Sequence, residues 1–258
     1  MVDILAGRLL EVPEALDAAP VELARLADPL GAVAPLDDGG WVAATGDGIA
    51  VLRLGAAPVW LGRPEAGAAT PTRMNDGVAD PHGRFWAGSM AYDESPGAGS
   101  LYRVDADGSV HRVLGGFTVP NGPAFTPDGR TMYLADSPLG LIRRYALDPA
   151  SGALGEPEVF AKVDTGNPDG MVVDGEGYLW SAVWGGGELR RYAPDGALER
   201  VVQVPVRQPT CVCFHRGSLV VTSARIGLPD PAPLDGAVLY TPVPFPPPVP
   251  AAVARISA

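Results

Sequence analysis

Five copies of one short pattern recur along the chain at a spacing that leaves few folds open. They are "GAVAPLDDGGWVAAT" from Gly31, "NDGVADPHGRFWAGS" from Asn75, "NGPAFTPDGRTMYLADS" from Asn121, "DGMVVDGEGYLWSAV" from Asp169 and "PTCVCFHRGSLVVTSA" from Pro209. Their turn glycines, Gly39, Gly83, Gly129, Gly177 and Gly217, lie 44, 46, 48 and 40 residues apart. A fixed period of this length belongs to architectures that repeat one supersecondary unit. Each copy passes from an apolar run of period near two, through a tight Gly turn, into a second such run. The stretches "GSLYRVDADGSVHRVL" and "GELRRYAPDGALERVV" then add a further hairpin, with "DADG" and "APDG" as turns. About four short strands per copy is the content of a propeller blade. A helical repeat is excluded because Gly and Pro interrupt every candidate helix.

The predicted fold is all-β, a six-bladed β-propeller of four-stranded blades forming a single domain over residues 1–240. The opening stretch "VDILAGRLLEVPEALDAAPVELARL" reads as strand, turn, strand and strand, so a partial first blade (1–30) is expected to lack its innermost strand. The other blades are expected over 31–74, 75–120, 121–168, 169–208 and 209–240. Residues 241–258 form a Pro-rich C-terminal tail, expected as a solvated extension in polyproline conformation.

Composition narrows the partners. With 258 residues, 47% of them hydrophobic, the chain can bury a substantial core. A formal charge of -11 and no basic stripe argue against nucleic acid, whose binders gather Lys and Arg. No apolar run reaches the roughly 18 residues of a membrane helix, and the N-terminus carries no signal pattern, so no membrane partner and a cytoplasmic location are expected. Cys211 and Cys213, at i and i+2 on a strand, read as a buried pair of small hydrophobes. His82, His111 and His215 all fall at or beside turns. Without paired His spacing or GxSxG, zincin and serine hydrolase chemistry lack support.

Eight residues before the turn glycines stand Gly31, Asn75, Asn121, Asp169 and Pro209. In a propeller such positions, just ahead of each innermost strand, ring one mouth of the central channel. Asn or Asp followed by Gly is also ordinary turn chemistry. Amide and carboxylate oxygens converging on one mouth, however, suit a hard divalent cation. A cation held there can polarise a carbonyl and acidify its water while a neighbouring carboxylate moves the proton, which suffices to hydrolyse an ester or lactone. Arg73, two residues before Asn75, would add a donor fork for a hydroxylated or anionic substrate.

At these residues the sequence resembles the SMP-30/gluconolactonase/LRE family of regucalcin-like six-bladed propellers. The matching stretches are "TRMNDGVADPHGRFWAGSM", "VPNGPAFTPDGRTMYLADS", "NPDGMVVDGEGYLWSAVWGGGELRRYAPDG" and "QPTCVCFHRGSLVVTSAR", in family order. The resemblance implies a divalent-metal-dependent hydrolase that opens sugar lactones such as gluconolactone. It implies Asn121 and Asp169 as metal ligands, Asp169 also as general base, and Arg73 and Asn75 as substrate contacts, with Asp93 at the pocket and Glu94 adjacent. The implied cofactor is one divalent cation; oxygen ligands permit Ca, Mg or Mn, and the resemblance also admits Zn. The partner implied is a small-molecule lactone. A further family ligand, a Glu in a "GEGP"-like motif ahead of "VDI", falls before Val2, and this motivates the alternative of a non-catalytic or impaired metal- or sugar-binding propeller.

Overall fold

The computed structural model describes residues 1–13, 18–242, 245–246 and 253–256. These form 22 strands in six antiparallel sheets, each a meander in which sequence neighbours pair. The first sheet holds β1 (Val2–Asp3), β2 (Arg8–Glu11) and β3 (Val21–Arg25). The second holds β4 (Leu30–Pro35), β5 (Trp41–Thr45), β6 (Gly48–Leu52) and β7 (Val59–Gly62). In the third are β8 (Thr72–Ala79), β9 (Phe85–Ala91), β10 (Gly99–Val104) and β11 (Val110–Phe117). The fourth is built of β12 (Pro120–Phe125), β13 (Thr131–Asp136), β14 (Leu141–Ala146) and β15 (Glu158–Lys162). The fifth comprises β16 (Asn167–Val173), β17 (Leu179–Trp184), β18 (Glu188–Tyr192) and β19 (Leu198–Gln203). The sixth has β20 (Pro209–His215), β21 (Ser218–Ser223) and β22 (Leu239–Pro242).

Six such meanders are the blades of a six-bladed β-propeller, and the first has three strands, as the sequence predicts. The sixth also has three among the described residues, one fewer than its repeat suggests. By contact, the chain divides into two units. One takes Met1–Pro120 with the described C-terminal residues 253–256; the other begins at Asn121.

Each unit has its own core, made by the inward positions of alternating strands. In the first, Met74, Phe85, Ile49, Val42 and Val104 are sealed from solvent. In the second, Tyr133, Ile142, Leu179, Val183 and Tyr192 pack together, with Phe160 edge-on to Tyr133 at a centroid distance of 4.7 Å. The tail departs from its expected solvated state. Ala254 and Ile256 are buried in the first unit's core, and Ala254 bridges Leu36 in parallel. Phe245 stacks in the second unit on the Arg191 guanidinium at 4.3 Å and on Trp180 at 5.5 Å. Apolar side chains placed among prolines find cavities that local composition does not announce. Residues 247–252 of that tail lie outside the described residues. Cys211 and Cys213 also differ from expectation: they form no disulfide and are exposed, because Val212 between them takes the buried face of β20.

Two blades are clamped by the same device. Asp80, at the end of β8, accepts from the backbone of His82 (2.8 Å) and Arg84 (3.0 Å), from Arg84 Nε (2.7 Å) and from the Trp86 indole (2.9 Å). Asp174, at the end of β16, accepts from the backbone of Glu176 (2.9 Å) and Tyr178 (3.0 Å), from the Trp180 indole (2.9 Å) and from Arg191 Nε (2.8 Å). Both carboxylates are fully buried. One carboxylate thus sets the Gly turn, ties a core Trp and neutralises an Arg, although Arg84 Nη2 in the Asp80 clamp is buried without a hydrogen-bond partner. Asp174→Ala should cost about 1–3 kcal/mol or more of unfolding free energy, since it leaves the buried indole N–H and two turn N–H groups without their acceptor while Arg191 keeps Glu176 and Glu199. Asp195→Ala, in an exposed turn where the carboxylate accepts from Ala197 N, should cost under about 1 kcal/mol. Urea denaturation of the two variants checks the contrast.

Candidate active site

The innermost strands do not run regularly past the positions that lead each repeat. On β16 the register with β17 shifts between Pro168 and Met171, leaving Asp169 and Gly170 in a bulge. On β8 it shifts between Met74 and Gly77, leaving Asn75 and Asp76. On β4 the shift falls at Gly31, between Leu30 and Ala32. A bulge adds a residue to one strand and re-aims its side chain, and bulges gather beside functional sites. Two glycines here, Gly122 beside Asn121 and the leading Gly31, have a separate task. Gly122 has φ +58, and a Cβ there would lie 2.6 Å from the Asp169 carbonyl oxygen. Gly31 stands in the same relation to the Asn75 carbonyl. Neighbouring inner strands therefore meet backbone to backbone, which only Gly permits.

In the second unit, Asn121 is buried and its Nδ2 donates to Ser137 Oγ at 2.9 Å. Ser137 Oγ donates in turn to the Pro168 carbonyl at 2.6 Å. A hydroxyl has one proton. Since that proton goes to Pro168, the Asn121 atom facing Ser137 must be the NH2, and Oδ1 is the end of the amide that can bind a cation. Pro168 immediately precedes Asp169, so this relay also ties Asn121 to the strand that carries the half-buried Asp169. Both side chains offer hard oxygens. Among the described residues no group of three or more His, Cys, Asp and Glu is placed to hold a metal ion. Asn121 Oδ1 and the Asp169 carboxylate are oxygens of the type a hard cation takes, with other positions kept for water or substrate. Ser137, which opens a 3-10 turn over Ser137–Leu139, was missed by the sequence reading. Its one signal is its place directly after the repeat's second strand.

In the first unit, Arg73 and Asn75 come together. Arg73 Nη1 donates to Asn75 Oδ1 at 2.8 Å and to the Met74 carbonyl at 3.0 Å, and Asn75 Nδ2 donates to the Pro120 carbonyl at 3.2 Å. Arg73 enters no ion pair among the described residues, and its Nε and Nη2 make no hydrogen bond there. Burial lowers its pKa from the usual guanidinium range, while Tyr92 and Glu94 oppose that shift. A half-buried cation with open donors is suited to an anionic or polyhydroxylated ligand. Asp93 does not join it. Its carboxylate is exposed and accepts from Ser95 Oγ (2.7 Å) and Ser95 N (3.0 Å), bonds that hold its pKa below the usual range. Its neighbour Glu94, at φ +56, is the acidic group whose charge acts on Arg73.

The "VWGGG" stretch, Val183 to Gly187, closes the β17–β18 hairpin. Gly185 and Gly187 have φ +75 and +65, and the turn borders an open pocket of about 300 Å³ with Gln203, Arg207 and Asp235 on its walls. Among the described residues no helix is long and apolar enough to cross a membrane.

A propeller whose inner-strand bulges present Asn and Asp oxygens defines a class of protein, and comparison with known proteins gives the family. The chain belongs to the SMP-30/Gluconolactonase/LRE-like family, whose profile matches residues 1–225. It is 38% identical over 234 residues to a 6-deoxy-6-sulfogluconolactonase of Pseudomonas putida, a match covering 86% of this chain and 78% of that protein. It is 40% identical over 173 residues to an L-arabinolactonase of Azospirillum brasilense, covering 64% of this chain and 57% of the other. A solved structure of regucalcin, a calcium-binding protein from Agrobacterium tumefaciens, superposes with a TM-score of 0.86 at 31% identity, covering 95% of this chain and 85% of that one.

Gly122→Ala should bring a β-carbon against Asp169 and force a left-handed residue, lowering stability by about 1–3 kcal/mol. Gly177→Ala, also at positive φ but with open space around its Cβ, should cost less. Thermal unfolding of both variants measures the difference.

Proposed function

We propose that this protein hydrolyses sugar lactones with the help of one divalent cation. The observation that carries the reading is the Asn121–Ser137–Pro168 relay, which fixes an amide oxygen on the strand next to that of Asp169. Support comes from relatives that are named lactonases for a sulfogluconolactone and for L-arabinolactone. Asn121 Oδ1 and the Asp169 carboxylate would hold the cation, whether Ca, Mg, Mn or Zn. When bound, the cation supplies Lewis-acid polarisation of the lactone carbonyl and a lowered pKa for water. Asp169 takes the proton of the attacking water as oxygen bonds to the carbonyl carbon, and that proton then goes to the ring oxygen as the C–O bond opens. Arg73, with Nε and Nη2 as donors, orients the hydroxyls or the anionic end of the sugar, and Asn75 holds Arg73 in place.

A second reading is a propeller that binds a cation or sugar without turnover. The absence of a three-carboxylate or histidine cluster among the described residues favours it. Calorimetry with an aldonolactone separates the two, because binding without acid release belongs to the second.

Asp169→Ala should abolish both cation binding and acid release from an aldonolactone, measured with a pH indicator; full turnover in this variant would sink the assignment. Ser137→Ala should weaken cation affinity about 10–100-fold, because the amide loses the hydroxyl that fixes it. Its melting temperature without cation should change far less, and calorimetric titration with Ca, Mg, Mn and Zn reads the affinity directly.

A further inference from the structure

Glu65 lies in the turn that follows β7 and is buried, yet its carboxylate has no cationic partner among the described residues. Three hydroxyls take the place of a cation. Thr72 Oγ1 donates to Oε2 at 3.1 Å, Tyr102 OH donates to Oε1 at 2.7 Å, and Ser89 Oγ also donates to Oε1. Ser89 Oγ accepts from Ser100 N at 3.1 Å, so the hydroxyl proton is left for Glu65. Burial and the bond to Glu65 push the Tyr102 pKa up to about 12, which keeps this phenol a donor. A buried carboxylate is tolerated only when its oxygens are met, and bonds to an ionised acceptor are the stronger kind.

The placement of these donors is what gives the cluster a task. Thr72 directly precedes Arg73, and Ser89 is the cross-strand partner of Met74, which directly follows it. The carboxylate thus grips the chain on both sides of Arg73 along the β8–β9 pair. Arg73 spends Nη1 on Met74 and Asn75, and the aim of its remaining donors depends on where the Thr72–Asn75 backbone lies. We infer that Glu65 is a positioning residue for Arg73, holding the substrate-contacting segment in register through Thr72 and Ser89. This rests on the reading that Arg73 contacts the sugar.

The test uses the full chain with two substitutions. In Glu65→Gln the charged acceptor is replaced by a neutral amide with a single acceptor oxygen, so the charge-assisted bonds that hold Thr72, Ser89 and Tyr102 are weakened. Thr72→Val removes only the β8 grip and leaves Glu65 with Ser89 and Tyr102. Steady-state kinetics on an aldonolactone should give a KM raised about 10-fold in Glu65→Gln and about 3-fold or more in Thr72→Val, with kcat within about twofold. Thermal unfolding of Thr72→Val should match the native chain, and amide exchange by mass spectrometry should quicken over 72–76 and not over 99–104 in β10. An unchanged KM in both variants of an active protein overturns the inference, as does exchange that rises equally through the sheet. If the native chain opens no lactone, the functional reading fails and the exchange comparison alone decides the positioning role. If Glu65→Gln does not fold, Thr72→Val carries the same comparison.

Discussion

Backbone against backbone at the start of neighbouring inner strands is the contact on which the rest of the site depends. At Gly122 a β-carbon would press on the Asp169 carbonyl, and at Gly31 it would press on that of Asn75. Because no side chain stands between them, one strand's Asn can reach the surroundings of the next strand's Asp. Ser137 spans the interval with two hydrogen bonds, to Asn121 and to Pro168. The Asn-Gly and Asp-Gly pairs are therefore not only turn chemistry. In Asn121-Gly122 the first residue supplies an oxygen, and the second supplies the room that lets its strand lie beside the one carrying Asp169.

The same strands carry their stability elsewhere. Asp80, just past β8, is five residues from Asn75, and Asp174, just past β16, is five from Asp169. At about 3.3 Å per residue, that separates bulge from clamp by roughly 15 Å. Blade four keeps the spacing with a weaker device. Thr126, five residues after Asn121, donates to Asp128 at 2.6 Å and accepts from Thr131 N at 3.1 Å, with no buried carboxylate and no indole. A substitution at a bulge can thus change the chemistry while the clamp at the other end keeps the blade closed.

What was legible in the sequence was whatever repeats. The turn glycines gave the blades, and the eight-residue offset from them singled out Asn75, Asn121 and Asp169. Arg73 was found because it sits two residues from one of these, and its bond to Asn75 is as local as that spacing suggests. The supports of the site were not legible. Ser137 meets Pro168 across 31 residues, and Glu65 meets Tyr102 across 37, and neither partner repeats from blade to blade. Asp93 differs in kind: its position came from resemblance, while its own sequence, Asp-Glu-Ser, makes a local turn in which Oδ1 accepts from Ser95. The tail misled for a related reason. Its prolines describe local conformation, whereas the burial of Ala254 and Ile256 depends on a core formed more than 100 residues earlier in the chain.

These supports share a chemical economy that bears on how the site could change. Ser137 and the hydroxyls around Glu65 act as neutral donors with one proton each, and each proton is spent on a particular acceptor. Such a donor fixes orientation without adding charge, so it would leave the field around Asp169 or Arg73 to the substrate and cation proposed for them. An Arg in place of those hydroxyls would satisfy Glu65 more strongly, but it would set a second cation near Arg73 and weaken the hold on an anionic sugar proposed for Arg73. In the Asp80 and Asp174 clamps, at the other end of the strands, guanidinium groups are used freely. Charge is concentrated where it only has to hold the blade, and hydroxyls are used where a charged ligand must still find an open partner.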